Sequence, residues 1–253
     1  MSKPVIAVWF SCGAASAVAA KKTIEKYGED YDIRVVNNPV ANEDEDNQRF
    51  LKDVERWIGC EIETAINSKY PSCDISEVFH DRKYISGVGG APCTGELKKK
   101  ARQEWEAVNL FNFDARNYIV LGFTADEKHR HDRFAMQERE NILPVLIDEG
   151  ITKGDCFRIV SDAGIELPRI YRQGYPNANC IGCVKAGSPT YWNHVRKMHP
   201  EIFQERCKIS RQYGARLVKY KKERLFLDEL PEDAVGRPMK DMEIECGIFC
   251  DMK

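Results

Sequence analysis

Five cysteines carry the residue types and spacings best suited to chemistry: Cys93, the pair Cys180 and Cys183, and the tail pair Cys246 and Cys250. Cys180-Ile-Gly-Cys183 follows Gly174-Tyr-Pro-Asn, and two thiolates at that spacing can bind one metal ion or adjacent irons of a cluster. The motif does not open a helix beside a first strand, which argues against a thioredoxin-like redox pair. A structural zinc site completed by Cys246 and Cys250 is the rival to a cluster. Cys93 begins Cys-Thr-Gly-Glu-Leu-Lys-Lys-Lys. A thiol near a helix start, with lysines beside it, has a lowered pKa and suits a ligand or a nucleophile. At least one of Lys98, Lys99 and Lys100 is nevertheless a plain solvated residue. Cys60 and Cys156 sit in apolar patterns and read as packing residues.

The second candidate is a phosphate site. Val5-Ile-Ala-Val-Trp-Phe is followed by Ser11-Cys12-Gly13-Ala14-Ala15-Ser16. Small residues between a strand and a helix let backbone N–H groups approach a phosphate, and the helix dipole favours the anion. Ser11 and Ser16 add hydroxyl donors. It is not a Walker loop, because the Gly-Lys-Ser/Thr ending is missing. Many strand–helix turns use these residues simply to turn. Further on, Gly122 leads into Phe123-Thr-Ala-Asp-Glu127 and Arg130-His-Asp-Arg133, where Arg130 and Arg133 can clamp phosphate or sulfate bidentately. His129 and His131 read as ordinary polar loop residues.

The elements that must position these groups alternate. Apolar runs at Pro4–Phe10, Asp32–Asn37, Glu61–Ile66, Tyr118–Gly122 and Leu143–Ile147 read as strands. Helical patterns run over Ala14–Tyr27, over Glu43–Ile58 with Asn42 as its cap, and over Gly95–Ala107. Alternation predicts an α/β fold, a doubly wound and mostly parallel sheet, with ligands beyond the carboxyl ends of its strands. That places Ser11–Ser16, Asn37–Glu43 and Phe123–Arg133 around one crevice. Residues 1–150 form this nucleotide-binding domain. Residues 151–253 form a helical and loop-rich, cysteine-containing region, with helices at Asp155–Ala163 and Pro200–Tyr213 and a loosely packed tail from Leu230. Lys208, Arg211, Arg216, Lys219, Lys221, Lys222 and Arg224 make a basic cluster.

The 253 residues carry a net charge of −2, with 43% apolar and 31% charged residues, ordinary for a soluble protein. The balance gives no general attraction to nucleic acid or anionic membrane. No apolar run approaches a membrane span, and the N-terminus is not a signal peptide, so a cytoplasmic protein is expected. Ten cysteines in a reducing compartment point to metal, cluster or redox groups rather than disulfides.

Together these pieces resemble the sulfonucleotide reductase branch of the PP-loop (adenine nucleotide alpha hydrolase-like) superfamily, the phosphoadenylyl-sulfate and adenylyl-sulfate reductases. Against the general pattern Ser-Gly-Gly-x-Asp-Ser, the chain departs at Cys12 and Ala15. Ser11-Cys-Gly13-Ala-Ala-Ser-Ala-Val18 is closer to the reductases' Ser-Phe-Gly-x-x-x-Ala-Val. Gly122 to Arg133 is similar to the family's Gly-x-x-x-x-Glu-x-x-Arg-like loop, with Thr124 where reductases usually carry arginine. Leu167-Pro168, Gly174-Tyr175 and Cys180-x-x-Cys183 match the run through the second cysteine pair. Cys93 and Lys98 match Cys-Cys-x-x-x-Lys, with Thr94 replacing the second cysteine. Glu245-Cys246-Gly247-Ile248 matches the motif of the nucleophilic cysteine, with Phe249 replacing its histidine.

The resemblance implies a HUP/PP-loop, Rossmann-like fold. It implies a thiol-dependent reductase acting on adenylyl sulfate (APS) or its 3′-phosphorylated form (PAPS), with Cys246 as nucleophile and thioredoxin or a similar thiol as reductant. It also implies a [4Fe-4S] cluster on Cys93, Cys180 and Cys183, with Cys250, Cys246 or Cys12 as fourth ligand or one iron open. Three cysteines with an open iron is also the arrangement of cluster-dependent tRNA thiolases in the same superfamily. An ATP-dependent sulfurtransferase acting on tRNA or DNA is therefore the alternative, and a zinc-stabilised nucleotide-binding module a third. Reductase-like proteins of phage genomes are similar too. A homodimer is left open.

Overall fold

The computed structural model describes residues 3–87, 90–110 and 116–239. In chain order the elements are β1 (Val5–Phe10), α1 (Ala14–Tyr27), β2 (Asp32–Asn37), α2 (Asp46–Ile58), β3 (Ile62–Thr64) and α3 (Ile75–Arg82). A π-helical segment, Thr94–Lys100, runs into α4 (Ala101–Asn109). Then follow β4 (Tyr118–Val120), α5 (Lys128–Gln137), β5 (Ile142–Leu143), α6 (Val145–Asp148), α7 (Lys153–Asp162) and α8 (Arg169–Arg172). Helices α9 (Pro189–Met198) and α10 (Pro200–Gln212) precede a hairpin of β6 (Val218–Tyr220) and β7 (Glu223–Leu225).

The chain divides into two compact units, neither a single run of sequence. The first comprises residues 1–39, 45–65 and 102–169, the second 40–44, 66–101 and 170–253. In the first, five strands form an all-parallel sheet in the order β3-β2-β1-β4-β5, flanked by helices. The central strand β1 is buried from Ile6 to Phe10, which is why it reads as an unbroken apolar run rather than an alternating one. Helix α1 lays Ala14, Ala17, Val18 and Ala20 on its buried face, and these small side chains let it approach the sheet closely. Helix α2 buries Phe50, Leu51, Val54 and Ile58, with Phe50 stacked on Phe10 at 6.2 Å between centroids. Gly59 ends it in the left-handed conformation, φ 76°. Asp46 opens α2 and holds Arg49 at 2.7 Å and the Arg169 amide at 2.7 Å, and these partners keep its carboxyl down to about 2.

Several sequence expectations change. Asn42 does not cap α2, whose N-cap is Glu45; its Oδ1 instead accepts the Ile75 N–H, at the start of α3, at 2.9 Å. The fifth strand is Ile142–Leu143 alone, because Pro144 interrupts it and Val145–Asp148 turns helical. The segment 128–133 is not loop but the first part of α5. The stretch after Leu230 is anchored as far as it is described. Leu230 and Ala234 are buried, Asn193 Nδ2 donates to the Pro231 and Ala234 carbonyls, and the Gly236 amide donates to Thr190 Oγ1 at 2.9 Å.

The second unit has its own core, built on Tyr70, Phe79, Ile170, Tyr191, Trp192 and Phe203. Trp192 is fully buried, and its indole N–H donates to the Ala186 carbonyl at 2.7 Å. Among the described residues no helix is long and apolar enough to cross a membrane.

Candidate functional site

In the order β3-β2-β1-β4-β5, the direction of winding reverses between β1 and β4. Loops leaving the carboxyl ends of the two strands at such a reversal diverge and leave a crevice, the usual ligand site of open α/β sheets. The loop after β1 is Ser11-Cys12-Gly13, and the loop after β4 begins Leu121-Gly122. Both belong to the first unit.

The turn after β1 is strained. Cys12 has φ 54°, a left-handed conformation that favours glycine, while its side chain is buried in the core. Such a residue costs about 1–3 kcal/mol and persists where the surroundings over-determine it. Asn37, itself buried at the end of β2, donates from Nδ2 to the Phe10 carbonyl at 2.8 Å and approaches Cys12 Sγ at 3.6 Å. Gly13 is the N-cap of α1 and supplies no side-chain cap. The early N–H groups of a helix have no intrahelical partner, so a glycine N-cap keeps them available to an anion. Ser16 is buried; its Oγ accepts the Ser11 N–H at 3.1 Å, donates to the Gly13 carbonyl at 2.9 Å, and lies 3.2 Å from Ser11 Oγ. Ser16 therefore braces the turn, and Ser11 is the exposed hydroxyl. Ala14 is buried beneath them.

Gly122 is fitted to this turn. A Cβ there would stand 2.8 Å from the Ser16 amide nitrogen and 3.0 Å from Ala15 C and Ser16 Cα. Thr124 is buried and caps the short turn Ala125–Glu127 with a reciprocal box to Glu127. Glu127 also pairs with Arg130, whose guanidinium lies 5.4 Å from the Phe123 ring centroid. Arg130 is thus held beside the crevice loop, whereas Arg133 is exposed on α5. His131 packs edge-on against Phe123 and sits 3.2 Å from Asp132. Lys153, at the start of α7, is a group that sequence pattern alone does not single out. Burial pushes its pKa down, Glu127 opposes that and Arg130 adds to it, so the lysine shares the surroundings of this loop. An open cavity of about 560 Å³ lined by Lys3, Tyr31, Asp32 and Gly59 lies at the opposite, amino ends of the strands and contains none of these residues.

Cys93, Cys180 and Cys183 belong to the second unit. Cys180 and Cys183 are buried in its core, and half-buried Cys93 packs against the same core. The Cys-x-x-Cys turn is pinned from three elements. The Ile181 amide donates to the Asn42 carbonyl at 3.3 Å, the Cys183 amide to Tyr191 Oη at 2.9 Å, and Arg206 Nε to the Gly182 carbonyl at 3.2 Å. Arg206 is only 1% exposed and also donates to Glu205 at 2.7 Å. Burial raises the Tyr191 phenol well above its ordinary pKa. Cys93 caps the π-helical segment, a rare geometry often found at functional sites. Lys98, on that segment, lies 3.2 Å from the buried Glu43 carboxylate. Cys156, by contrast, belongs to the first unit, where burial lifts its thiol to about 12. Among the described residues no group of three or more His, Cys, Asp or Glu is arranged to hold a metal ion. Cys246 and Cys250 lie outside the described residues.

Gly182 can be tested directly. It has φ 69°, and an added Cβ would stand 2.9 Å from Ile202 Cγ2. Left-handed strain and overpacking together predict that Gly182→Ala destabilises the protein by about 2–4 kcal/mol. A stability loss of less than about 0.5 kcal/mol in urea unfolding would contradict this turn geometry.

No protein-family model matches the chain, and no curated protein matches it.

Proposed function

We propose that this chain is a nucleotide-dependent sulfur enzyme of the PP-loop type, similar to the sulfonucleotide reductases. The observation that carries the reading is the strained, glycine-capped turn Ser11-Cys12-Gly13 meeting the Gly122 loop where the sheet order reverses. The N–H groups opening α1 and the Ser11 hydroxyl would take the anionic group of adenylyl sulfate or its 3′-phosphorylated form, with Arg130 beside them. Cys246, as thiolate, attacks the sulfur. The S–O bond to the nucleotide breaks, the adenosine phosphate leaves, and S-sulfocysteine forms. A dithiol such as thioredoxin then attacks the cysteine sulfur, releases sulfite and ends as a disulfide, so the two electrons come from the external thiols.

Cys93, Cys180 and Cys183 are the residues that would hold an iron–sulfur cluster, with Cys250 beyond the described residues as a further thiol, although the described residues alone bring no three such donors together. The support is their donor chemistry and their place in one core. Such a cluster would tie the three cysteines of that core together. The chain's own part there is to fix the Cys-x-x-Cys turn through Asn42, Tyr191 and Arg206.

The experiment is a comparison of sulfur products. Protein with radiolabelled sulfonucleotide and thioredoxin is expected to release sulfite. Release of none, with label or sulfur appearing instead on tRNA or DNA in the presence of ATP, would replace this reading with nucleic-acid thiolation.

A further inference from the structure

The β6–β7 hairpin holds its cations in a geometry that works against its own stability. Lys221 and Lys222 form its two-residue tip, with φ of 45° and 72°. A tip with both residues left-handed is the turn that Asn-Gly makes without strain, and two lysines are poor choices for it. Behind the tip, Lys219 stands directly opposite Arg224 in register. Like charges so placed repel. Val218 is buried, so the period of two directs Lys219 and Arg224 to the other, solvent face, and all four cations are exposed. Arg216 joins them: Arg224 Nη1 donates to its carbonyl at 3.4 Å, and its guanidinium lies 5.2 Å from the Phe226 ring. Tyr220 underlies Lys221 at 5.1 Å. Glu223 is the acid on the hairpin itself, while neighbouring Asp228 and Glu229 are occupied by Arg211 at 3.0 and 2.8 Å. The chain as a whole carries −2, so the patch is not a by-product of a basic protein.

We infer that this hairpin is a docking surface for the phosphate backbone of duplex DNA. A two-stranded ribbon enters the B-form major groove, whereas the A-form major groove of RNA is too deep and narrow to admit one. Cations at the tip and along the outward face then meet phosphates on both sides of the groove. Strain and repulsion held in one short hairpin have a reason if a polyanion relieves the repulsion on binding. The inference goes beyond the proposed reduction of a sulfonucleotide, which needs no such surface, and fails or stands separately from it.

The test uses the full chain and a short fluorescently labelled DNA duplex, read by anisotropy at two salt concentrations. Wild type is expected to bind with a dissociation constant on the order of micromolar at low salt, without sequence preference. Lys221→Asn/Lys222→Gly should weaken binding about tenfold and reduce the slope of log K against log salt by about 2, at about 0.9 for each phosphate no longer neutralised. The same variant should melt at a higher temperature, because Asn-Gly suits the turn, so weaker binding cannot come from misfolding. Lys219→Gln/Arg224→Gln should weaken binding to a similar extent. Unchanged affinity and slope in both variants, or a folded RNA bound more tightly than the duplex, overturns the inference.

Discussion

Gly122→Ala is expected to lower both the stability of the parallel-sheet unit and the proposed affinity for an adenine nucleotide. The added methyl group has nowhere to go, since its three nearest neighbours, at 2.8–3.0 Å, are all backbone atoms of Ala15 and Ser16. Side-chain rotation cannot relieve the clash, so either β4 or the first turn of α1 must shift. Overpacking of this kind costs about 1–3 kcal/mol. The shift falls on the N–H groups proposed to meet the nucleotide phosphate or sulfate, whose hydrogen bonds tolerate little displacement. An affinity loss of at least about tenfold is expected, equivalent to about 1.4 kcal/mol. Gly154→Ala is the control. Its Cβ meets only Thr152 Oγ1, at 3.8 Å, and it lies inside α7, where alanine is the better helix former. Thermal unfolding and nucleotide titration of both variants check the argument. Equal melting temperatures would mean that the close approach is not there. A lower melting temperature with unchanged nucleotide affinity would move the ligand away from this turn.

What the sequence made legible was local. β1, α1 and β2 lie where an apolar run, an alanine-rich stretch without proline and a second apolar run place them, because each element's residues meet the same sheet. α5 was hidden because only Phe134 of its ten residues is buried, so Lys128-His-Arg-His-Asp-Arg shows no apolar period. Cys12's left-handed backbone gave no warning, since glycine is the residue that normally announces one. The supports of the Cys-x-x-Cys turn were invisible for a different reason. Asn42 and Arg206 come to it from far along the sequence, Tyr191 from the helix that follows, and no spacing rule links them. The same holds for the two units, the second of which takes segments 40–44 and 66–101 from between the segments of the first. The hairpin's cations were visible as composition, but only the register sets Lys219 against Arg224.

The proposed chemistry divides the cysteines into two jobs, and serine substitution separates them. Cys183 is 5% exposed, and its amide is tied to Tyr191; Cys180 is 6% exposed. Thiols so placed cannot swing out to meet an external reductant, which a turnover nucleophile must do. Cys180→Ser and Cys183→Ser are therefore expected to lower the iron and sulfide content of anaerobically prepared protein. Cys246 stands in Glu245-Cys246-Gly247-Ile248, outside the described residues, and is the thiol assigned to attack. Cys246→Ser is expected to reduce sulfite release by a factor on the order of a thousand or more, the scale on which loss of a covalent nucleophile acts. Its metal content and nucleotide affinity should match wild type. The pattern matters more than either result alone. Metal lost from Cys246→Ser would make that cysteine a ligand and hold the tail in place. Iron and sulfide unchanged in both core variants would remove the cluster from Cys180 and Cys183. Full turnover by Cys246→Ser would end the reductase mechanism and leave nucleic-acid thiolation, which needs no attack by this thiol on a sulfonucleotide, as the reading to pursue.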